Sequence, residues 1–272
     1  MCGIVGYFGN NSAAPLLIKG LKRLEYRGYD SAGVAIMEQD AFTVTKKAGK
    51  VKELETKLKG ASVKGTIGIG HTRWATHGEP SDLNAHPHVD QTGKFALIHN
   101  GIIENYAVLK QILEQKGVEF YSETDTEVLV QLISMIYHED NTSFEMAVTQ
   151  ALRKVIGTYG IVVMCSDEPN QLIAARLGSP LVLGVGDGEY FLEIEFHEEA
   201  YERFKEDYGS MVRLTLGDLQ IFNSEFLKEY AVHLQHRFSA PNFPSQMSDE
   251  NKIIYKTILR QKERLETLRE RV

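Results

Sequence analysis

Short apolar runs alternate with amphipathic helical patterns along most of this chain. That alternation limits the possible folds more than any other feature of the sequence. Runs of apolar and β-branched residues predict strands, whereas apolar residues spaced three and four apart predict helices. The predicted strands are residues 3–8, 32–37, 42–45, 66–71, 95–99, 160–165, 171–176 and 181–186. The predicted helices are residues 12–26, 50–58, 104–116, 125–138 and 143–156. This mixture predicts a mixed α/β or α+β domain.

The last third of the sequence has a different character. Residues 193–208 are acidic and predict a helix, and residues 211–222 predict a pair of strands joined by a turn. The stretch 241–248 is rich in Pro, Ser and Asn, so it is the best candidate for a linker. We therefore expect one domain over residues 1–240, followed by a linker and a C-terminal helix over residues 241–272.

The charge and the cysteine content exclude several classes of function. The chain has 272 residues, a net charge of −7 and no basic patch, so neither nucleic acid nor an anionic membrane is an expected partner. No apolar run approaches the roughly 20 residues that cross a bilayer, and no signal peptide is visible. Cys2 and Cys165 lie in such different surroundings that a disulfide framework is not expected. We expect a protein of the reducing cytoplasm.

Cys2 directly follows the initiator methionine, so removal of Met1 would place a thiol and a free α-amine on one residue. The reference pKa is about 7.7–8.0 for an α-amine and about 8.5 for a cysteine thiol. Such an amine can take the thiol proton and later return it to a leaving group. Cys2 is therefore a candidate nucleophile, on the condition that Met1 is removed.

Three polar clusters follow predicted strands or helices, in the loops where functional residues concentrate. Asn100 and Gly101 offer a side-chain amide and a backbone N–H, two donors that suit a tetrahedral oxyanion. Arg73 suits a carboxylate, and Asp125 suits an ammonium group. Together with Cys2, these residues predict a thiol hydrolase that acts on a small zwitterion. The clusters are residues 23–33, residues 71–80, and residues 99–105 with 122–127.

Each of these residues also has a purely structural interpretation, which the sequence leaves open. The pair Asn100-Gly101 is a common hairpin turn. An arginine such as Arg73 is often exposed or ion-paired, and Asp125 precedes a predicted helix that it can cap. Trp74, the single tryptophan, is either a packing residue or a lid.

Five histidines between residues 71 and 99 raise the question of a zinc site. Their spacing matches no standard ligand pattern, so we expect neither a metal nor another cofactor. The residues concerned are His71, His77, His86, His88 and His99.

Four segments closely resemble the glutaminase domain of glutamine–fructose-6-phosphate aminotransferase, a class II glutamine amidotransferase. The segments are residues 1–6, 23–33, 71–88 and 99–105. The resemblance runs from residue 1 to about residue 191. The strings Arg-Leu-Glu-Tyr-Arg-Gly-Tyr-Asp-Ser-Ala-Gly and His-Thr-Arg-Trp-Ala-Thr-His-Gly-Glu-Pro favour this branch over amidophosphoribosyltransferase or asparagine synthetase.

The resemblance implies an N-terminal nucleophile hydrolase fold, an α+β sandwich of four αββα layers with two antiparallel sheets between helices. It implies that Cys2 attacks the side-chain amide of L-glutamine, which gives a γ-glutamyl thioester, ammonia and then glutamate. Asn100 and Gly101 match the oxyanion hole of the family. Arg73 matches the residue that binds the α-carboxylate of glutamine, and Asp125 matches the residue that binds its α-amine.

The resemblance implies roles for four further residues around the pocket. Trp74 matches the residue that gates the passage of ammonia. Thr76 and His77 match the loop that closes over glutamine. Arg27 matches a residue near the nucleophile that helps to order the site.

The sequence departs from the family in two ways. The chain ends at Val272, which leaves no room for the sugar-phosphate isomerase domain that receives the ammonia in amino-sugar synthesis. We therefore expect a free glutaminase domain, a truncated chain or one subunit of a split system, which does not by itself make glucosamine 6-phosphate. The resemblance continues only weakly, through residues 211–222, and the acidic segment 193–208 and the tail after Pro241 do not resemble the family. The sequence therefore predicts no role for the divergent segment 192–272. The alternative function is a glutamine-binding or interaction module without turnover, which would follow if Met1 stays attached or if a partner domain is missing.

Overall fold

Antiparallel β-strands form the centre of the structure. The computed structural model describes residues 2–28, 30–61, 63–74, 78–177, 179, 181–185, 189–193, 212–215 and 219–223. In these residues the strands are β1 (Gly3–Phe8), β2 (Ser31–Glu38), β3 (Ala41–Ala48), β4 (Ile67–Arg73), β5 (His88–Val89), β6 (Phe95–Ile103), β7 (Gly157–Cys165), β8 (Gln171–Leu177), β9 (Val182–Val185), β10 (Tyr190–Glu193), β11 (Val212–Thr215) and β12 (Leu219–Asn223).

The strands form two sheets. Sheet A has seven strands in the order β11-β9-β10-β1-β4-β2-β3, and sheet B has five in the order β12-β8-β7-β6-β5. Every neighbouring pair in both sheets is antiparallel. The first strand of the chain therefore lies inside sheet A, between β10 and β4.

Helices cover the outer face of each sheet. They are α1 (Ala13–Leu24), α2 (Val51–Leu58), α3 (Tyr106–Gln115), α4 (Asp125–Glu139) and α5 (Phe144–Leu152). One apolar cluster joins α1 and α2 to sheet A, a second joins α3, α4 and α5 to sheet B, and a third fills the space between the sheets. The four-layer αββα sandwich is thereby confirmed. None of the described helices has the length and hydrophobicity that crossing a bilayer requires.

Both faces of the central strands are buried, because a layer packs on each side of them. Successive side chains of a strand point to opposite faces. Ile4 of β1 accordingly lies in the cluster between the sheets, and Val5 lies in the outer cluster. Ile98 and Leu97 of β6 divide in the same way. Burial of each such side chain stabilises the fold by about 1.5–3 kcal/mol, so the ends of β1 and β6 are firmly placed.

The end of the described chain differs from the prediction. The two strands predicted as a pair lie in different sheets, because β11 pairs with β9 and β12 pairs with β8. Each strand thereby satisfies the backbone groups at an edge of a sheet. Glu193, the predicted start of an acidic helix, ends β10. The rest of that helix, the linker 241–248 and the C-terminal helix lie outside the described residues.

Candidate active site

Cys2 lies at the end of sheet A, directly before β1 and beside the end of β4. The register of these strands pairs Gly3 with Thr72, and the Gly3 N–H donates to Thr72 Oγ1 over 3.2 Å. Immediately after β4, the backbone N–H of Trp74 donates to Cys2 Sγ over 3.1 Å. Strand register and this hydrogen bond together fix the position of the sulfur.

The two thiols of the chain differ in their surroundings. Burial raises the pKa of the Cys2 thiol above its usual value, and the N–H of Trp74 offsets part of that rise. The thiol is therefore protonated at neutral pH and needs a base before it can attack. Cys165 is fully buried in β7, and burial raises its pKa to about 11. Only Cys2 is partly exposed, so it is the thiol that can meet a substrate.

Asn100 brings the second sheet into contact with Cys2. Its Nδ2 donates to the backbone oxygen of Cys2 over 2.9 Å. The prediction that a strand ends at residue 99 is wrong, and so is the hairpin interpretation of Asn100-Gly101. Strand β6 continues to Ile103, since β7 offers a partner for each residue of the pair, with Asn100 opposite Gly160.

Gly101 has a backbone conformation that excludes other residues. Its φ of +135° lies in a region that side chains rarely adopt. A Cβ at this position would stand 2.0 Å from the backbone oxygen of Thr158. Only glycine can adopt this φ at residue 101 and still let β6 pair with β7.

Arg73 is the last residue of β4, and it is buried. Its Nη2 donates to the oxygen of Gly78 over 2.8 Å, and its Nη1 lies 3.4 Å from the oxygen of Glu79. The interpretation of Arg73 as an exposed surface residue is therefore wrong. The guanidinium joins the end of β4 to the backbone of Gly78 and Glu79.

Asp125 is the first residue of α4 rather than its cap. The cap is Thr124, whose Oγ1 accepts the N–H of Glu127 over 3.2 Å. Asp125 is buried, and its Oδ2 accepts the N–H of Ile103 over 2.9 Å. The carboxylate is thus held against β6, two residues beyond Gly101.

The remaining predicted residues are placed less fully. The side chain of Trp74 is 52% exposed, so the interpretation as a core packing residue is wrong. Arg27 ends the short 3₁₀ turn Glu25–Arg27, and the prediction for its side chain lies outside the described part of the structure. Thr76 and His77 also lie outside the described residues.

Behind Asn100 lies a group of buried histidines, which we call the histidine stack and which comprises His71, His86 and His88. The rings of His71 and His86 are 4.2 Å apart between centroids, and those of His86 and His88 are 4.8 Å apart. Burial lowers the pKa of all three, that of His71 to about 3, so the rings are neutral. Among the described residues, no three His, Cys, Asp or Glu side chains are placed to hold a metal ion.

Hydrogen bonds attach the histidine stack to Asn100 and to the neighbours of Asp125, and sequence reasoning missed them. His71 Nε2 lies 2.8 Å from Asn100 Oδ1. His86 Nε2 lies 2.8 Å from Oγ1 of Thr126, the residue after Asp125. The sequence offers one signal for this arrangement: His71 falls in the second predicted polar cluster, whereas His86 and His88 lie outside all three clusters.

A family model described as a glutamine amidotransferase domain matches residues 43–192, which is more than half of the chain. The chain belongs to this family. A curated relative from Bacteroides thetaiotaomicron, named glutamine–fructose-6-phosphate aminotransferase [isomerizing], is 57% identical over 193 residues. A protein of the same name from Chlorobaculum tepidum is 58% identical over 196 residues. These matches cover 71% of this chain but only 31% and 32% of the relatives, so the chain spans about a third of their length.

The solved structures show the same fold. A glutamine phosphoribosylpyrophosphate amidotransferase from B. subtilis matches with a TM-score of 0.66 and 27% identity over 82% of this chain and 49% of that chain. A glutamine aminotransferase class-II domain protein from Silicibacter pomeroyi matches with a TM-score of 0.50 and 15% identity over 82% of this chain and 99% of that chain. The first match and the two facing antiparallel sheets identify the N-terminal nucleophile hydrolase fold.

Proposed function

We propose that this domain hydrolyses the side-chain amide of L-glutamine to glutamate and ammonia, with Cys2 as the nucleophile once Met1 has been removed. One observation carries the proposal. Asn100 Nδ2, from sheet B, lies 2.9 Å from the backbone oxygen of Cys2, from sheet A. The residue with the attacking sulfur and a donor suited to an oxyanion are therefore in direct contact.

The proposed reaction has two halves. The α-amine of Cys2, with a reference pKa of about 7.7–8.0, takes the thiol proton, and the sulfur attacks the amide carbon. The oxyanion of the tetrahedral intermediate accepts hydrogen bonds from Asn100 Nδ2 and from the backbone N–H of Gly101. The amine then protonates the departing nitrogen, which leaves as ammonia from a γ-glutamyl thioester. Water, deprotonated by the same amine, cleaves the thioester to glutamate and the free thiol.

The two ends of glutamine have opposite charges, and the site offers a buried group for each. The fork of the Arg73 guanidinium suits the α-carboxylate, which it can bind through two parallel hydrogen bonds. The Asp125 carboxylate suits the α-ammonium group. We further propose that Trp74, half exposed beside the sulfur, gates the exit of ammonia, and that Arg27 helps to order the site. Thr76 and His77 are proposed to close over the substrate.

Another reaction must consume the ammonia. The curated relatives take their name from amino transfer to fructose 6-phosphate, and this chain matches about a third of their length. We propose that the acceptor is likewise a sugar phosphate, bound by a domain outside the matched residues. We also propose that residues 1–240 form the amidotransferase domain, with residues 241–272 as a linker and a helix that follow it.

The proposal is tested by intact mass spectrometry together with a glutamate-release assay. The purified protein is measured before and after treatment with a diazoketone analogue of glutamine. Loss of methionine, one adduct on Cys2 and steady release of glutamate are the expected results. A chain that retains methionine, or an adduct on Cys165, would contradict the mechanism. Glutamine binding without release would instead support a binding module.

A further inference from the structure

We propose that His71 is a positioning residue that fixes the orientation of the Asn100 side-chain amide and so aims its N–H groups at the nucleophile. The inference rests on the proposed glutaminase function and adds to it a residue that does not touch the substrate. His71 belongs to β4 of sheet A, and Asn100 belongs to β6 of sheet B. The contact between them therefore crosses the gap between the sheets.

The surroundings of His71 determine which ring nitrogen has the proton. Nε2 lies 2.8 Å from Asn100 Oδ1 and 3.1 Å from the backbone oxygen of His99. A backbone oxygen only accepts, so Nε2 must donate. Nδ1 is buried, and no hydrogen-bond partner for it exists among the described residues. A proton on Nδ1 would leave a buried donor without a hydrogen bond, which is unfavourable.

The same geometry determines how the Asn100 amide is turned. With Oδ1 toward His71, the amide accepts from Nε2 and donates from Nδ2 to the Cys2 oxygen over 2.9 Å. A flipped amide would place its oxygen against the Cys2 oxygen and its N–H groups against the N–H of His71. Both contacts would then be repulsive, so the donor of His71 selects the productive orientation.

The ring of His71 is itself held in place. Its face packs against His86 at 4.2 Å, and His86 is bonded through Nε2 to Thr126 of α4. Burial keeps the imidazole neutral above a pKa of about 3, so it stays a single donor at Nε2 throughout the physiological range. The ring cannot turn away without loss of both its hydrogen bonds and its stacking.

The inference predicts a specific kinetic effect. Each Nδ2 has two hydrogens, and one of them already bonds to Cys2. The second hydrogen is available for the oxyanion, which exists only after attack. If the second hydrogen is misdirected, kcat should fall and KM should not rise. Loss of one oxyanion donor typically costs about 10²–10³ in rate.

The test compares His71→Phe, which keeps a flat ring without a donor, with His71→Gln, whose amide can still donate. His71→Phe should lower kcat for glutamate release by about 10²-fold with little change in KM. His71→Gln should recover part of the loss. Alkylation of Cys2 by iodoacetamide forms no oxyanion, so its rate should stay the same in both variants. A rise in KM alone, or slow alkylation, would overturn the inference.

The matched control is His88→Phe, which removes a second buried ring of the histidine stack. His88 is bonded to Thr124 rather than to Asn100. An equal loss of kcat in His88→Phe would indicate general damage to the core and would count against His71.

A direct measurement decides the matter even if the wild-type protein proves inactive. Nitrogen-15 spectra of histidine-labelled protein, assigned with His71→Gln, report which ring nitrogen has the proton. The inference requires protonated Nε2 and bare Nδ1 between pH 5 and pH 8. The opposite tautomer would refute the positioning role. Absence of glutamate release from the wild type would refute the proposed function instead.

Discussion

The nucleophile side of the site and its oxyanion side are built in different ways. On the nucleophile side, Cys2 and the exposed Trp74 are placed by strand register and a backbone hydrogen bond. On the oxyanion side, Asn100 and Asp125 are placed by buried side chains and hydrogen bonds across elements. Apart from the bond between the Gly3 N–H and Thr72 Oγ1, the first arrangement depends on backbone pairing, whereas the second depends on side chains. The proposed nucleophile is therefore positioned mainly by the backbone, whereas the proposed oxyanion and substrate-binding groups are sensitive to changes of neighbouring side chains.

The largest expected effect separates the two thiols. Cys2→Ala should lower glutamate release by about 10⁴-fold or more, because no other nucleophile is in place. Cys165→Ala should leave release unchanged and lower the free energy of unfolding by about 1 kcal/mol, since it only opens a small cavity in β7. Steady-state assays and denaturant melts check both. Appreciable release from Cys2→Ala would remove the nucleophile side from the mechanism.

The next effect concerns the backbone of the oxyanion side. Gly101→Ala forces a Cβ against Thr158 at a positive φ, so we expect at least about 3 kcal/mol of destabilisation. Glutamate release should fall by about 10²-fold or more, because the backbone donor shifts. The matched control is Gly93→Ala, which also has a positive φ but has open space around it. Its cost should stay near 1–2 kcal/mol, roughly that of backbone strain alone, with unchanged kcat.

A smaller effect tests the binding end of the oxyanion side. Asp125→Asn can keep the bond to the Ile103 N–H while it removes the charge, so the fold should be retained. KM for glutamine should rise by about 10–100-fold, since a charged hydrogen bond is worth about 1.5–3 kcal/mol. Glu139→Gln, at the exposed far end of α4, is the control and should leave KM unchanged. Equal KM values in both variants would place the ammonium group elsewhere.

The smallest effect is the pH dependence of stability that the histidine stack imposes. Burial lowers the pKa of His71 to about 3, whereas an unfolded histidine titrates near 6.5. Above about pH 6.5 the His71 ring is neutral in both the folded and the unfolded protein. Below that pH only the ring of the unfolded protein binds a proton, until the pH approaches 3. Stability should therefore fall as the pH decreases from about 6.5 toward 3, by up to about 1.4 kcal/mol per pH unit for each such histidine.

Denaturant melts between pH 7 and pH 5 measure this slope above the range in which most carboxylates titrate. His71→Phe should show a shallower slope than the wild type, because it removes one of the groups that take up a proton on unfolding. An unchanged slope in that variant would mean that the His71 ring is accessible to protons in the folded state.

The sequence predicted those parts of the molecule that depend on local patterns. Most strands and helices were expected close to their observed positions, because apolar periodicity reflects burial directly. Cys2 at the start of β1 and the polar clusters near strand ends were expected for the same reason. The prediction that a strand stops before Asn100-Gly101 is wrong. The sequence alone does not distinguish this dipeptide in a turn from the same dipeptide inside a strand, and only the pairing with β7 does so.

Long-range contacts account for the rest. Thr124, not Asp125, caps α4, and only the contact of Asp125 with β6 shows why its carboxylate is withheld from the cap. The placement of β11 and β12 in separate sheets depends on which edges remain open. The histidine stack has no periodic signature at all, because its members come from β4, from β5 and from the loop before β5.

The position of the active centre across two sheets has a consequence for how such a domain tolerates substitution. Ile4 lies two residues after Cys2 and Ile98 two residues before Asn100, and both fill the apolar layer between the sheets. The volume of the side chains in that layer sets the distance between the two sheets, and so the distance between Cys2 and Asn100. We therefore expect homologues to change side-chain volume in this layer only through compensating pairs of substitutions. In the two outer apolar layers, single substitutions should be accepted more readily.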